Sequence, residues 1–308
     1  MIIASYNLDS LDDTDEDPRD FGARGAALRP KLIGLRADIL CLQEIDSQKV
    51  GSDRRLRALD RLLEGTKYAG YNRIHTVGSA GQPTNVHNLA ILSRDPVLRS
   101  GQIRHELVPP LPCPELPIGG AAEPVWWDRP FLHAEIDCGG GRRLRIINLH
   151  LRAPIAAHMP EGRERGRWRS TPIWAEGFFR AALKRIGQAL EVRLFIDRIY
   201  DEEPEALICV CGDFNAEGAE MPLRLIRADP GDTETPALEW RRLVPLERSG
   251  PSTIHAGRPM RPDHLLASPA LAARHRRSEL INVGLPDDTQ TGAADSPHAP
   301  ILAEFDLG

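Results

Sequence analysis

The sequence lacks long apolar stretches. Nowhere in its 308 residues do about 18 consecutive apolar residues occur, the length that a membrane-spanning helix requires. The chain also opens on a strand-like segment, residues 2–6, rather than on a basic leader followed by an apolar core. We therefore expect no membrane insertion and a cytoplasmic location.

Cysteines are few, and their number, five, is odd. Cys209 and Cys211 form a Cys-x-Cys pair, but no second pair follows at the spacing of a zinc site. Cys41 also lies in an apolar, strand-like run. This pattern disfavours a zinc site and predicts reduced, buried thiols.

An excess of positive charge is also missing. The chain has 44 acidic and 39 basic residues, which gives a formal net charge of −5. A polyanionic substrate must therefore be held by a local basic patch or by bound metal, not by the field of the whole protein. An acidic run between residues 9 and 20 lacks the glycine and the spaced oxygen ligands of an EF-hand loop. It predicts an exposed loop, which beside a cleft would repel long polyanions.

The sequence is rich in short helix-like and strand-like segments that alternate irregularly. One amphipathic helix is predicted over about residues 18–36, and a second follows a Ser52 cap and ends at Gly65. Thr171 and Pro172 predict the start of a long helix that runs to about Tyr200. Its buried side is expected to carry apolar residues at helical spacing, namely Trp174, Phe178, Ile186, Leu190 and Leu194.

Predicted strands outnumber the helices. They cover residues 38–45, 71–77, 87–93, 131–137, 143–151, 206–211, 262–267, 278–283 and 300–306. Because helices are interspersed with these strands without strict alternation, the pattern favours two packed sheets flanked by helices, a layered α+β domain. No linker or repeat divides the chain, so residues 1–308 are expected to form one domain. An arginine-rich insertion and the long helix occupy about residues 152–200 of it.

Polar residues cluster where several predicted strands begin or end. Asn7, Glu44 and His150 each follow an apolar run, a Gly-Asp-Phe-Asn motif occupies 212–215, and Asp263 opens another strand. Strand ends are rigid yet open to solvent, as a catalytic cleft requires. Taken singly, each cluster also has a structural explanation, such as a cap, an Asx-turn or a satisfied histidine. It is their joint order along the chain that indicates function.

That order resembles the endonuclease/exonuclease/phosphatase superfamily, the DNase I-like fold, along essentially the whole chain. The resemblance rests on Asn7, Gln-Glu at 43–44, Arg-Pro at 129–130, Asn-Leu-His at 148–150, Gly-Asp-Phe-Asn at 212–215, Asp-His at 263–264 and Ser-Pro-His-Ala-Pro at 296–300. It implies a four-layered α/β sandwich, in which helices cover two central sheets and the active site lies at one edge. It also implies metal-dependent hydrolysis of a phosphate ester.

The resemblance further implies roles for these residues. Phosphate-ester hydrolysis develops negative charge on phosphoryl oxygens, which a hard dication with oxygen ligands offsets. Glu44 would bind this Mg²⁺ or Mn²⁺, supported by the amide oxygen of Asn7, and His298 would be the general base, oriented by Asp263. Asp213 would align the attacking water. Asn215, His150 and the planar guanidinium of Arg129 would bind oxygens of the phosphate or of the leaving group.

One departure from the family pattern concerns the last motif. The family usually has Ser-Asp-His-x-Pro, whereas this chain has Pro297 before His298. A carboxylate that helps to hold the metal site is therefore missing, and proline removes a backbone donor beside the base. Asp295, two residues earlier, is the candidate replacement ligand.

Three functions stay open on the sequence. The leading hypothesis is a nuclease or phosphodiesterase acting on DNA or RNA. In it, the arginine-rich stretch at 163–169 binds phosphates and Trp168 stacks on a base. The simpler explanation of this stretch is a solvated, charged loop. A phosphatase or phosphodiesterase for a small or lipid head-group phosphate is the alternative, consistent with the net negative charge. A non-catalytic scaffold, suggested by Pro297, is disfavoured because the other motifs are retained. No oligomeric state is predicted.

Overall fold

The computed structural model describes residues 1–14, 20–113, 123–159, 162–229, 240–246, 249–290 and 292–308. The strands, in chain order, are β1 (Ile2–Leu11), β2 (Ile39–Ile45), β3 (Gln48–Val50), β4 (Asp53–Arg55), β5 (Asn72–His75), β6 (Asn88–Ser93), β7 (Val97–Ile103), β8 (Phe131–Asp137), β9 (Arg143–His150), β10 (Arg163–Glu164), β11 (Arg167–Trp168), β12 (Leu207–Asp213), β13 (Val244–Pro245), β14 (Thr253–His255), β15 (Arg258–Met260), β16 (Asp263–Ala267), β17 (His275–Leu280) and β18 (Ile301–Phe305). The helices are α1 (Phe21–Leu35), α2 (Arg57–Leu63), α3 (Thr171–Glu202), α4 (Met221–Arg227) and α5 (Pro269–Ala272), with a 3₁₀ helix at Lys67–Gly70.

Two six-stranded sheets form the centre of the molecule, and each contains one parallel pair of strands. The first sheet has the order β17-β18-β1-β2-β6-β5, in which β1 and β2 are parallel. The second has the order β13-β16-β12-β9-β8-β7, in which β9 and β12 are parallel. Parallel strands end at the same edge of a sheet, so the last residues of β1 and β2, and those of β9 and β12, lie side by side.

The two sheets pack face to face through an apolar core. Ile39 and Cys41 of β2, Ile146 of β9 and Cys209 of β12 are fully buried in it. Helices α1 and α2 cover the outer face of the first sheet, and α3 and α4 cover that of the second. The order helix, sheet, sheet, helix confirms the predicted four-layered sandwich.

A buried polar bridge joins the two sheets. Asn148, near the end of β9, donates from Nδ2 to the carbonyl oxygens of Leu42 and Ala90 in the first sheet, at 3.0 and 2.9 Å. Gln43 of β2 donates to Oδ1 of Asn148 at 2.7 Å. Because a buried amide is costly unless it is hydrogen-bonded, this bridge favours one lateral offset of the sheets over others.

Two predicted helix starts are corrected by the structure. Ser52 does not cap α2, because residues 53–55 pair as β4 with β3 and the helix begins only at Arg57. Helix α3 is capped by Ser170, whose Oγ accepts from the backbone N–H of Ile173 at 3.4 Å. Thr171 and Pro172 are therefore its first two residues, one position inside the predicted cap.

The prediction for the buried face of α3 is also wrong. The helix packs on the second sheet through small or β-branched residues such as Ala189 and Val192. A Cβ at Gly187 would lie 2.6 Å from the ring of Trp127, so this face needs side chains with little bulk. Of the five apolar residues expected inside, Ile186 is half-buried, and the other four are at least 36% exposed, namely Trp174, Phe178, Leu190 and Leu194.

The other boundaries lie close to those predicted. Helix α1 follows Asp20, whose carboxylate accepts from Ala23 N–H at 2.7 Å, and β8 and β9 form the predicted hairpin. All five cysteines are unpaired, and only Cys138 is not fully buried. None of the helices in the described part of the chain is long and apolar enough to cross a membrane.

Replacing Asn148 by alanine should destabilise the fold by about 3 kcal/mol, because two backbone carbonyls and the amide of Gln43 lose their partners inside the protein. Asn72→Ala is the matched control. Its amide also donates to two carbonyls, those of Ser93 and Asp95, but Asn72 is exposed. That variant should lose less than about 1 kcal/mol. Urea unfolding measures the free energy of unfolding of both variants. Equal losses would show that the buried bridge stabilises the fold no more than an exposed amide does.

Candidate active site

Three polar side chains line up across the second sheet because their strands are in register. His150 of β9 pairs with Asp213 of β12, and Asp213 pairs with Asp263 of β16. Gly212 precedes Asp213 with a φ of 136°, and a Cβ there would overlap the carbonyl oxygen of Leu149. Glycine is therefore required for the close approach of β12 to β9.

Asn7, where the regular pairing of β1 with β2 is interrupted, links the two sheets at this edge. Its Nδ2 donates to Glu44 Oε1 at 3.1 Å and to Asp213 Oδ2 at 3.0 Å. Its Oδ1 accepts from the backbone N–H of Asp9 at 2.9 Å. The amide oxygen therefore faces the backbone, unlike the expected metal-supporting arrangement, and the amide nitrogen holds two carboxylates together.

Glu44 is ionised and held in an unusual backbone conformation. Its φ is 55°, in the left-handed region that a non-glycine residue rarely adopts. Ser10 Oγ donates to Oε2 at 3.2 Å. Burial favours the neutral acid, but the charge of His298 and the amide of Asn7 oppose it and hold the pKa of Glu44 below its usual value. The carboxylate is thus available as an anionic ligand.

His150 is buried and neutral. Arg129 Nη1 donates to its Nε2 at 2.7 Å, and this nitrogen lies 3.6 Å from Glu44 Oε1 and 3.5 Å from Asp213 Oδ2. Burial and the charge of Arg129 lower the pKa of His150 well below its usual value. With Nε2 accepting, the ring proton resides on Nδ1.

His298 and Asp263 form a pair, in which Asp263 is buried and His298 is partly exposed. His298 Nδ1 lies 2.9 Å from Asp263 Oδ2, to which Ser252 Oγ also donates at 2.7 Å. The backbone N–H of His298 donates to Ser296 Oγ at 3.1 Å. Burial alone would lower the pKa of His298, but the charge and hydrogen bond of Asp263 outweigh it and raise that pKa to about 10. Nε2 is left as the ring nitrogen that Asp263 does not engage.

Asp213 and Asn215 form the loop after β12. Burial, followed by the charge of Asp263, raises the pKa of Asp213 to about 7. The backbone N–H of Asn215 donates to Asp213 Oδ1 at 2.8 Å, and its side-chain Nδ2 donates to Leu151 O at 3.0 Å. Asn215 has a φ of 47°, so this turn, like that at Glu44, holds a strained residue at the site.

Asp295 lies apart from these residues. Its carboxylate accepts from Lys31 Nζ at 2.5 Å and from Tyr6 Oη at 3.4 Å. Neither of the two clusters of potential metal ligands in the described residues includes it. The sequence suggested Asp295 as a replacement for the carboxylate that is missing at Pro297. In the structure, its carboxylate is instead engaged in an ion pair with Lys31.

His87 is the site residue that the sequence analysis missed. It precedes β6 with a φ of 58°, its backbone N–H donates to Asp46, and its Nδ1 lies 3.7 Å from Glu44 Oε2. The sequence signal was weak, because His87 stands in a Gly/Pro/Asn-rich loop. The only hint was its position as the first residue of the predicted strand at 87–93.

Two clusters of three side chains could each hold a metal ion, Glu44–His87–His150 and Asp213–Asp263–His298. In each cluster the potential ligand atoms lie within 4.8 Å of one another. The first offers an ionised carboxylate and the buried Nδ1 of His87, which has no hydrogen-bond partner, whereas Nε2 of His150 already accepts from Arg129. This donor set fits a divalent cation, Mn²⁺ as well as Mg²⁺.

Two other sequence features fall outside this cluster. The acidic run is not simply an exposed loop, since the Asp13 side chain is fully buried against Arg57 and Arg61, at 2.9 Å from each. Residues 15–19 of that run lie outside the described residues. In the arginine-rich stretch, the Arg163 guanidinium lies 4.4 Å from the centroid of the Trp168 ring, so one face of that ring is covered.

Solved structures share this fold. A mannosyl-6-phosphatase from Bacteroides thetaiotaomicron is 16% identical, with 100% of both chains covered and a TM-score of 0.62. The 3′ phosphatase NExo from Neisseria, solved with a product DNA hairpin, is 16% identical, with 100% of both chains covered and a TM-score of 0.56. Truncated TDP2 from Caenorhabditis elegans is 17% identical over 99% of this chain and 96% of its own, with a TM-score of 0.56.

The sequence itself also matches a family. The profile of the endonuclease/exonuclease/phosphatase family matches residues 4–285, a range that contains Asn7, Glu44, His150, Asp213 and Asp263. A search of curated protein sequences found no match. On the extent of the profile match, and in agreement with the four-layered fold, this chain belongs to the endonuclease/exonuclease/phosphatase family of phosphoesterases.

Proposed function

We propose that this protein is a metal-dependent phosphoesterase and that it hydrolyses its substrate at the edge where β1, β2, β9 and β12 end. One observation carries the proposal. An ionised Glu44, the His298–Asp263 pair and the Arg129–His150 pair are held together there, around the amide of Asn7. The phosphatases among the structural neighbours support the reaction class. We include all of residues 1–308 in one catalytic domain.

Glu44 is the proposed ligand of a divalent cation, Mg²⁺ or Mn²⁺. Asn7 and Ser10 orient its carboxylate by donating to its two oxygens. The bound cation would offset charge on the phosphoryl oxygens and, by neutralising Glu44, lower the pKa of His298 toward the range of a general base. Asp295 could join the ligands only by leaving Lys31, whereas His87 already lies beside Glu44.

His298 is the proposed general base. Asp263 binds its Nδ1, which leaves Nε2 to take a proton from the attacking water. The water oxygen forms a bond to phosphorus as the ester P–O bond breaks, and the leaving oxygen gains a proton from solvent. Asp213, next to Asp263 in the sheet, is the residue proposed to align the water.

The phosphate is proposed to bind next to Arg129 and His150. Arg129 has the planar fork that suits phosphate oxygens, and His150 is uncharged, so it presents no charge of its own to the leaving group. Asn215 is proposed to contact the phosphate as well. Since its Nδ2 bonds to Leu151 O, this contact requires that hydrogen bond to open or to be shared.

Two substrate classes are candidates. Nucleic acid has the support of NExo, a neighbour solved with a product DNA hairpin, and of the arginine-rich hairpin β10–β11. A compact phosphate ester has the support of a pocket beside Arg129. Because Arg163 covers one face of Trp168, the base-stacking argument for nucleic acid is weaker than the sequence suggested.

The deciding experiment is hydrolysis of a substrate panel with Mg²⁺, with Mn²⁺ and with EDTA. The panel contains single- and double-stranded DNA, RNA, sugar and inositol phosphates, and a chromogenic phosphodiester. Activity should require the metal, and Glu44→Gln should lower it at least about 10³-fold, because the cation loses its anionic ligand. The matched control, exposed Glu64→Gln, should keep full activity. A wild-type chain that binds neither Mg²⁺ nor Mn²⁺ by calorimetry would instead indicate a scaffold.

His298→Ala should reduce kcat by about 10² to 10⁴-fold while leaving the fold intact, because proton removal from water is lost. Arg129→Lys should reduce kcat/KM by about tenfold, since an ammonium group cannot form two parallel hydrogen bonds to a phosphate. Steady-state kinetics and circular dichroism measure both. Unchanged turnover in His298→Ala would exclude it as the base.

The His298–Asp263 pair should make stability pH-dependent in EDTA. The pKa of His298 rises from 6.5 to about 10 on folding, so between these values the folded chain binds more protons than the unfolded one. The stabilisation is complete below about pH 6.5 and is lost as the pH rises through 10. In urea unfolding, the gap in unfolding free energy between wild type and His298→Asn should therefore narrow from pH 6 to pH 10. A constant gap would contradict the pairing.

A further inference from the structure

A pocket adjoins the proposed catalytic edge. Its volume is about 490 Å³, within the range of pockets that enclose small ligands. His87 and Arg129 line it, and both also border the catalytic residues. His87 Nδ1 lies 3.7 Å from Glu44, and Arg129 donates to His150. A phosphate bound at Arg129 therefore has the rest of its molecule beside this pocket, here named the Arg129–Arg152 pocket.

The charges lining this pocket are unbalanced. Among the described residues, four cationic side chains and one carboxylate line it: Arg104, Arg129, Arg152, Lys184 and Asp128. Asp128 is 87% exposed, and its carboxylate lies 3.9 Å from Lys184 Nζ. Within the described ranges, Arg129 and Arg152 have no carboxylate at ion-pair distance. A pocket wall with this excess of positive charge is suited to an anion.

The protein fixes the backbone of Arg129 and of Arg152 without a ligand. Gln188 of α3 accepts from the backbone N–H of Arg152 at 2.8 Å and donates to the backbone oxygen of Arg129 at 3.1 Å. Gln188 is itself only 5% exposed. Next to it, Gly187 permits the ring of Trp127, another residue of the pocket wall, to pack directly on the helix. The backbone of the pocket wall is thus already fixed and needs little ordering on binding.

We propose that the Arg129–Arg152 pocket receives the leaving group of the substrate, and that this group carries a second phosphate, bound by Arg152 and Lys184. This inference rests on the proposed phosphoesterase function and narrows it. The substrate class is a compact molecule with two phosphate groups, such as a sugar bisphosphate or a nucleoside bisphosphate. One phosphate is hydrolysed at Glu44 and His298, and the other serves for recognition.

The first test compares substrates that differ only in the second phosphate. One arm uses hexose 1,6-bisphosphate against hexose 6-phosphate, and the other uses nucleoside 3′,5′-bisphosphate against nucleoside 3′-phosphate. In the preferred arm, kcat/KM should be at least about tenfold higher for the bisphosphate, mainly through a lower KM, because one charge-assisted hydrogen bond contributes about this factor. Equal kcat/KM within both pairs would overturn the inference and leave the phosphoesterase function standing.

Charge removal in the pocket provides the second test. Arg152→Gln and Lys184→Gln should raise KM for the bisphosphate about tenfold and lower kcat much less. Arg274→Gln is the matched control. Arg274 lies just before β17, whose first residue pairs with Phe305 at the end of β18 that is remote from His298. The kinetic constants of the Arg274→Gln variant should therefore equal those of the wild type. Unchanged KM in both pocket variants would overturn the inference.

A binding measurement separates failure of this inference from failure of the proposed function. Glu44→Gln, kept in EDTA, is titrated with both bisphosphates by calorimetry. Binding that weakens about tenfold when Arg152→Gln is added supports the pocket even if the wild-type chain hydrolyses nothing. Absence of binding, or binding that Arg152→Gln leaves unchanged, would overturn it even if other phosphate esters are cleaved.

Discussion

The amide bridges between the two sheets are the constraint on which the site depends. Asn148 bonds to backbone carbonyls of two strands of the opposite sheet, and Asn7 holds a carboxylate from each sheet. An apolar interface alone would tolerate a sliding of one sheet over the other, since hydrophobic contact is not directional. Buried hydrogen bonds are directional, so they favour the single offset that brings Glu44 and Asp213 to the same edge.

This offset concentrates charge of both signs in a small volume. Glu44, Asp213 and Asp263 lie close to His298, and Glu44 and Asp213 also lie close to Arg129. Burial and the charge of Asp263 raise the pKa of Asp213, and Asp263 outweighs burial to raise the pKa of His298. Such mutual perturbation accompanies function more often than simple stability. The left-handed backbone at Glu44 and Asn215 is consistent with the same interpretation, because strain of this kind persists where surrounding structure imposes it.

Sequence reasoning succeeded where local pattern and tertiary position coincide. Strand ends carry the candidate site, so the motifs at the ends of β2, β9 and β12 could be located from apolar runs followed by polar residues. It failed for α3, whose sequence has apolar residues on more than one side, because the tight approach of Trp127 selects the small residues near Gly187 for the inner face. It failed for Ser52 because pairing of β3 with β4 delays the start of α2.

The amino-acid sequence by itself determined the family and the layered arrangement, since these follow from periodicity and from motifs that keep their order. It also supplied most residues of the candidate site. Only the tertiary structure decided which side chains meet. His87 reaches Glu44 and Asp295 goes to Lys31, although neither pairing is visible as a spacing along the chain. The grouping of Arg129 with Arg152 around one pocket likewise depends on α3, whose Gln188 binds both segments. Such contacts join residues far apart in sequence, and packing of the layers alone brings them within bonding distance.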